Sequence, residues 1–269
     1  SDVYKRQAKV LALPTKLGQR LEVTNTNTKN INWKSFDCQK NLWFETSLSI
    51  THFKPSIANA TAQRMSQCFQ SIHELRPQLF KNQKGLEFIS HLEFPQNWGL
   101  GSSSTLINNL AQWAKVDAYK LLAATFGGSG YDIACAQHPY PITFQKNLKS
   151  SPKVEKAVFN PSFKDQLFFV HQNQKQNSRK AIAAYEAVKK SEKLDFSELN
   201  AITNALSQTS TLEAFESLIT QHETLISELI QHPPLKALHF SDYNGAIKSL
   251  GAWGGDFFLA TGTLSLIHI

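Results

Sequence analysis

A chain of 269 residues, 41% hydrophobic and 18% charged, holds enough apolar material for one or two cores, which excludes a disordered or collagen-like protein. Three scattered cysteines, Cys38, Cys68 and Cys135, exclude a disulfide framework and a Cys-x-x-Cys site, and no apolar run reaches the roughly 18 residues of a membrane span. The net charge of +7 is dispersed, without a basic arm or zinc-finger spacing, so it reads either as a solvated basic surface or as a match for a small anionic ligand rather than nucleic acid; the cysteine usage and the lack of a span make a soluble cytoplasmic setting with no membrane partner the expectation.

In chain order, residues 1–7 show neither a turn signal nor a period, and 263–269 break off after a strand. Both are expected to be non-native, adapter-like ends outside the fold. Residues 8–53 read as strands, with alternation at Arg20–Thr24 and Leu42–Thr46. Ala62–Leu79 is a predicted helix with Met65, Cys68, Phe69, Ile72 and Leu75 on one face, and Leu86–Phe94 a strand. A Gly/Ser loop opens into a helix over Ser103–Leu122, followed by a strand at Pro139–Phe144. The Lys- and Ser-rich stretch 146–156 is the expected connection between a domain at 8–150 and one at 157–262. The second domain reads as a strand at Gln166–Val170, helices near 178–191, 196–208 and 211–231, and a strand pair at Ala246–Ser249 and Phe257–Thr261. Phe215, Leu218, Ile219, Leu225, Ile226 and Leu229 form the apolar stripe of the last helix, which Pro233-Pro234 stops. The mixture is α/β or α+β in two domains.

Three glycine-bearing loops carry the chemistry. Pro95-Gln96-Asn97-Trp98-Gly99-Leu100-Gly101-Ser102-Ser103-Ser104 leads from a strand into a helix. Its glycines permit close backbone approach, Ser102 or Ser103 can cap, and the first helical amides with the helix dipole suit a phosphate. An ordinary capped helix has the same local pattern. The segment is neither a Walker A loop nor a Rossmann fingerprint, because no Gly-Lys-Ser/Thr occurs and the third glycine is a serine. Gly127-Gly128-Ser129-Gly130-Tyr131-Asp132 sets an acidic side chain on a tight turn, either to orient or deprotonate a nucleophile or simply to cap a helix. Gly251-Ala252-Trp253-Gly254-Gly255-Asp256 joins two strands and reads as a substrate or phosphate loop, or as a loose hairpin. The histidines lack metal-spaced partners, and His222-Glu223 lacks the following His of a zincin.

In order and spacing, Gly99–Ser104, Ser129–Ala134 and Gly251–Asp256 resemble the second motif, the catalytic-aspartate segment and the third motif of the GHMP kinases. The Gly-Tyr-Asp-Ile-Ala string is similar to a bacterial subgroup, and Gly-Ser-Gly-Tyr-Asp with the closing Asp256 leans toward phosphomevalonate kinases. The resemblance implies a two-domain α+β fold, with an N-terminal α/β domain bearing a left-handed βαβ unit and a ferredoxin-like C-terminal domain. It implies ATP and Mg²⁺ as cofactors. Pro95, Asn97 and Gly99–Ser104 would bind ATP, Ser103 would contact Mg²⁺, and Asp132 would be catalytic. Gly128, Ser129, Gly130, Gly251, Ala252, Gly254, Gly255 and Asp256 would close over substrate and phosphates.

The implied activity is phosphoryl transfer from ATP to a small acidic acceptor, phosphomevalonate or mevalonate, by a monomer or homodimer. The alternatives are an ATP-dependent diphosphomevalonate decarboxylase and a nucleotide- or metabolite-binding member that has lost catalysis. Candidate cations for the acceptor are Lys16, Lys175, Arg179 and Lys248. The departures are Leu121 where mevalonate kinases carry a metal-binding Glu, Trp253 in a place usually held by Gly, and a missing first motif and last elements. An incomplete, inactive chain is therefore also expected.

Overall fold

The computed structural model describes residues 8–81, 84–147, 151–173, 195–251 and 256–263. The chain divides into two units. One comprises 14–96 and 100–139; the described part of the other lies within 8–13, 97–99 and 140–263.

The first unit contains β2 (Gln19–Asn25), β3 (Asn30–Phe36), β4 (Leu42–Ser49), α1 (Ala60–Leu75), β5 (Leu86–Leu92), α2 (Ser102–Ala114), α3 (Ala118–Ala124) and α4 (Tyr131–Gln137). Its sheet order is β2-β5-β3-β4, with β3 parallel to β5 and the other neighbours antiparallel. Period-two burial on β3 (Ile31, Trp33) and β5 (Leu86, Phe88) turns one sheet face toward Met65, Cys68, Phe69 and Ile72 of α1. Phe88 stacks on Trp33 at 5.4 Å and meets Phe69 and Trp113 edge-on at 5.1 and 4.8 Å. The buried indole of Trp33 donates to Ser35 Oγ at 2.7 Å, so the aromatic core leaves that donor satisfied.

Local chemistry sets the helix ends. The Asn59 side chain caps α1 by accepting from the Ala62 amide, and the helix stops at Leu75 because Pro77 cannot continue it; a 3-10 turn covers the rest of the predicted span. The helix expected over Ser103–Leu122 is two helices. Lys115 turns left-handed (φ +51°) to close α2, and the Asp117 carboxylate caps α3 by accepting from the Tyr119 and Lys120 amides.

The second unit contains β1 (Val10–Ala12), β6 (Ile142–Gln145) and β7 (Lys153–Lys156), an antiparallel sheet in the order β1-β6-β7. The end of the stretch expected to connect two domains is thus strand β7. It also contains β8 (Leu167–His171), α5 (Ser197–Leu206), α6 (Leu212–Ile230), α7 (Leu235–His239), β9 (Ile247–Ser249) and β10 (Phe257–Thr261). The order β8-β10-β9, all antiparallel, fits a ferredoxin-like arrangement. Phe215 and Ile219 of α6 pack with Ile202, Leu206 and Leu259. The helix ends at left-handed Gln231 (φ +53°), just ahead of Pro233. The expected helix near 178–191 and both expected non-native ends, apart from Thr263, lie outside the described residues.

Candidate active site

Helix α2 starts on glycine. Gly101 is the N-cap residue (φ +77°, ψ +32°) and brings no side chain to the cap, whereas Ser102 and Ser103, the expected caps, are already helical. The Thr105 amide donates to Gly101 O at 2.9 Å. The amides of Ser102, Ser103 and Ser104 precede that bond and have no acceptor inside the helix. Ser103 is exposed, and Ser102 and Ser104 are half-buried. A small network fixes this helix start to β2: Thr105 Oγ1 donates to Gln19 Oε1 at 2.7 Å, Gln19 Nε2 to Ser90 Oγ at 2.8 Å, and Asn109 Nδ2 to Gln19 O at 2.7 Å. Sequence reading missed Gln19, since nothing around it marks it as an anchor.

The second glycine loop delivers Asp132 to the same place. Gly130 (φ +88°) opens α4, so Asp132 is not the cap but lies in the first turn. A Cβ on Gly101 would lie 3.1 Å from Asp132 Cγ and 3.4 Å from its Oδ1, so the carboxyl group packs against the residue that starts α2. The positive ends of two helix dipoles favour a negative charge there. Gln137 Nε2 donates to buried Asn108 Oδ1 at 3.1 Å and ties α4 to α2. Tyr119 lies under Gly130, and burial, with the charges of Asp117 and Cys135, pushes its phenol up to about 12. Ser129 is buried and Gly128 exposed.

Pro95 is half-buried ahead of a 3-10 turn at Gln96–Trp98; Asn97 and Gly99 are exposed and Leu100 half-buried. In the second unit, the Trp98 ring packs on His171 at 5.8 Å and edge-on to Phe257 at 5.6 Å. The Asp256 carboxyl group lies across Gly99 (φ +64°), where a Cβ would overlap its Oδ2. Asp256 Oδ1 and His171 Nε2 are buried without a hydrogen-bond partner among the described residues. Gly251 is exposed with φ +63° at a hairpin closed by Leu250 N–H donating to Phe257 O at 3.2 Å. Ala252, Trp253, Gly254 and Gly255 lie outside the described residues, as do Lys175 and Arg179.

Lys248 differs from its reading as a cation for the acceptor. Its half-buried ammonium lies 2.6 Å from Glu223 Oε1 and donates to Ser249 O at 2.9 Å. Glu223 was missed, although it follows Phe215 and Ile219 at helical spacing on the buried stripe. Lys16 is exposed. Leu121 is wholly buried in the first core, so it supplies no metal carboxylate. Among the described residues, no group of three or more His, Cys, Asp and Glu is placed to hold a metal, and no helix is long and apolar enough to cross a membrane.

No protein-family model matches the sequence, and no curated protein matches it. The structure is similar to that of a Lin0012 protein from Listeria innocua, at 16% identity and TM-score 0.67, over 96% of this chain and 85% of that one. It is similar to Streptococcus pneumoniae phosphomevalonate kinase in complex with phosphomevalonate and AMPPNP, at 14% identity and TM-score 0.66, over 96% of this chain and 86% of that one. It is also similar to Methanococcus jannaschii mevalonate kinase, at 15% identity and TM-score 0.60, over 97% and 86%. The chain has the fold of the GHMP kinases.

Proposed function

We propose that the protein transfers the γ-phosphoryl group of ATP to a small acidic acceptor, phosphomevalonate or mevalonate. The observation that carries this reading is the Asp132 carboxyl group packed on Gly101 at a helix start whose cap residue, a glycine, has no side chain to offer. The amides of Ser102–Ser104 would receive the β- and γ-phosphates, within a loop begun by Pro95, Asn97 and Gly99. Asp132 would orient the acceptor and take the proton of an attacking hydroxyl. A phosphate acceptor is already ionised, and there Asp132 only positions. Such transfer needs alignment and charge neutralisation more than covalent help. The exposed Ser103 hydroxyl and a carboxylate at the same helix mouth are oxygen donors that suit Mg²⁺, with phosphate and water completing its shell. Bound with ATP, that ion would neutralise phosphate charge.

The test is ADP formation with mevalonate, phosphomevalonate and diphosphomevalonate offered separately to wild type and Asp132→Asn. Turnover with one of the first two is expected, falling about 10²–10⁴-fold in the variant. Undiminished turnover by the variant would contradict the role of Asp132, and CO₂ release from diphosphomevalonate would mark a decarboxylase. A second reading, nucleotide binding without transfer, draws on the burial of Leu121 and predicts ATP binding with no product.

A further inference from the structure

Away from the glycine loops, the second unit carries an open, polar cavity of about 400 Å³, in the size range of small-molecule sites. One wall is α6. Glu213, Glu216, Ser217, Thr220 and Gln221 follow one another at helical spacing on a single side of that helix, next to its buried stripe. The other wall is Lys236 of α7 with residues 244–246, which lead into β9 at the opposite end of that strand from Gly251.

Two charges of opposite sign are fixed in this cavity. The half-buried Glu216 accepts at Oε1 from the hydroxyl of Thr261, a wholly buried residue whose Oγ1 in turn accepts from the Ala246 amide at 2.8 Å. Burial, and then the Glu216 charge, raise the pKa of the Tyr243 phenol, which donates to Thr261 O at 2.7 Å. The half-buried Lys236 donates to Gly245 O at 2.8 Å; an ammonium has three N–H groups, so others remain for a ligand. Both charges are thus held by neutral partners. Among the described residues, neither they nor the exposed Glu213, one turn before Glu216, has an ion-pair partner. A carboxylate and an ammonium that line one cavity without meeting favour a ligand that brings both charges in the opposite sense. The second carboxylate leaves the lining with an excess negative charge, so the ligand that balances it carries an excess positive one.

We infer that this cavity is a second binding site, for a cationic α-amino acid of the lysine or arginine class. Lys236 takes its carboxylate, Glu216 its α-ammonium and Glu213 its side-chain cation. The site stands apart from the nucleotide reading and does not depend on it. The experiment is calorimetric titration of the full chain, without nucleotide, with L-lysine, L-arginine, cadaverine (lysine without its carboxylate) and L-norleucine (lysine without its side-chain ammonium). Saturable binding of lysine or arginine is expected, about ten-fold or more tighter than that of cadaverine or norleucine. Glu216→Gln and Lys236→Met are each expected to weaken it about ten-fold or more, with circular dichroism melting to show that both variants are folded. Glu213→Gln, a change at an exposed residue, is expected to remove the preference for lysine over norleucine. Absence of saturable lysine and arginine binding by wild type overturns the site, as does an unchanged preference in Glu213→Gln. Equal affinity for lysine and cadaverine overturns the assignment of Lys236 and, with it, the amino-acid class.

Discussion

His222 and Glu223 are chain neighbours on α6 that meet the same cation differently. Glu223 is buried and bonded to Lys248, which neutralises it. His222 is half-buried, and its Nδ1 is shut away without a hydrogen-bond partner among the described residues: burial first, and the Lys248 charge second, lower its pKa to about 3 from 6.5. The imidazole is therefore neutral in the folded protein between these values, while the unfolded chain binds a proton there. Stability is fully present above about pH 6.5 and falls as the pH drops toward 3, with a slope approaching 1.4 kcal/mol per pH unit, roughly one proton's worth. Urea unfolding of wild type between pH 7 and pH 4 is expected to show this fall, and His222→Gln to flatten it; parallel curves would contradict it. Neither environment was legible in the sequence. Lys248 is visible as a charge, but whether it serves a ligand or a carboxylate depends on how α6 lies on β9, which is decided by packing.

At the scale of elements, the glycine loops were legible because left-handed backbone beside a helix start leaves few residues to choose from. Placing the cap was harder. Serine is a good N-cap, so Ser102 or Ser103 was the local expectation, but Gly101 takes the position since Asp132 fills the space a side chain would need. Gly101→Ala is expected to cost about 1–2 kcal/mol in chemical denaturation, because an L-residue is strained at φ +77°, and to weaken ATP binding as well by displacing Asp132. Unchanged ATP affinity in a folded variant would separate Gly101 from the site. The break between α2 and α3 was missed because the apolar period runs through it, whereas Asp117 caps a new helix.

For the whole molecule, element types were readable from periodicity, but their partners were not. β1 pairs with β6, Val10 opposite Phe144, and β3 runs parallel to β5 with β4 and α1 intervening in the chain. Such pairings are chosen by burial across the fold and leave no mark within a window of sequence. The motif resemblance supplied the topology that periodicity could not. The likeness to kinases of low identity carries the fold, and the chemistry rests on what lies at the start of α2. A crystal structure of the full chain with a non-hydrolysable ATP analogue and Mg²⁺ tests that claim most directly. Phosphate oxygens within about 3 Å of the Ser102–Ser104 amides, with Asp132 facing the γ-phosphate, are the expected result. A nucleotide seated elsewhere, or none at saturating concentration, would contradict it.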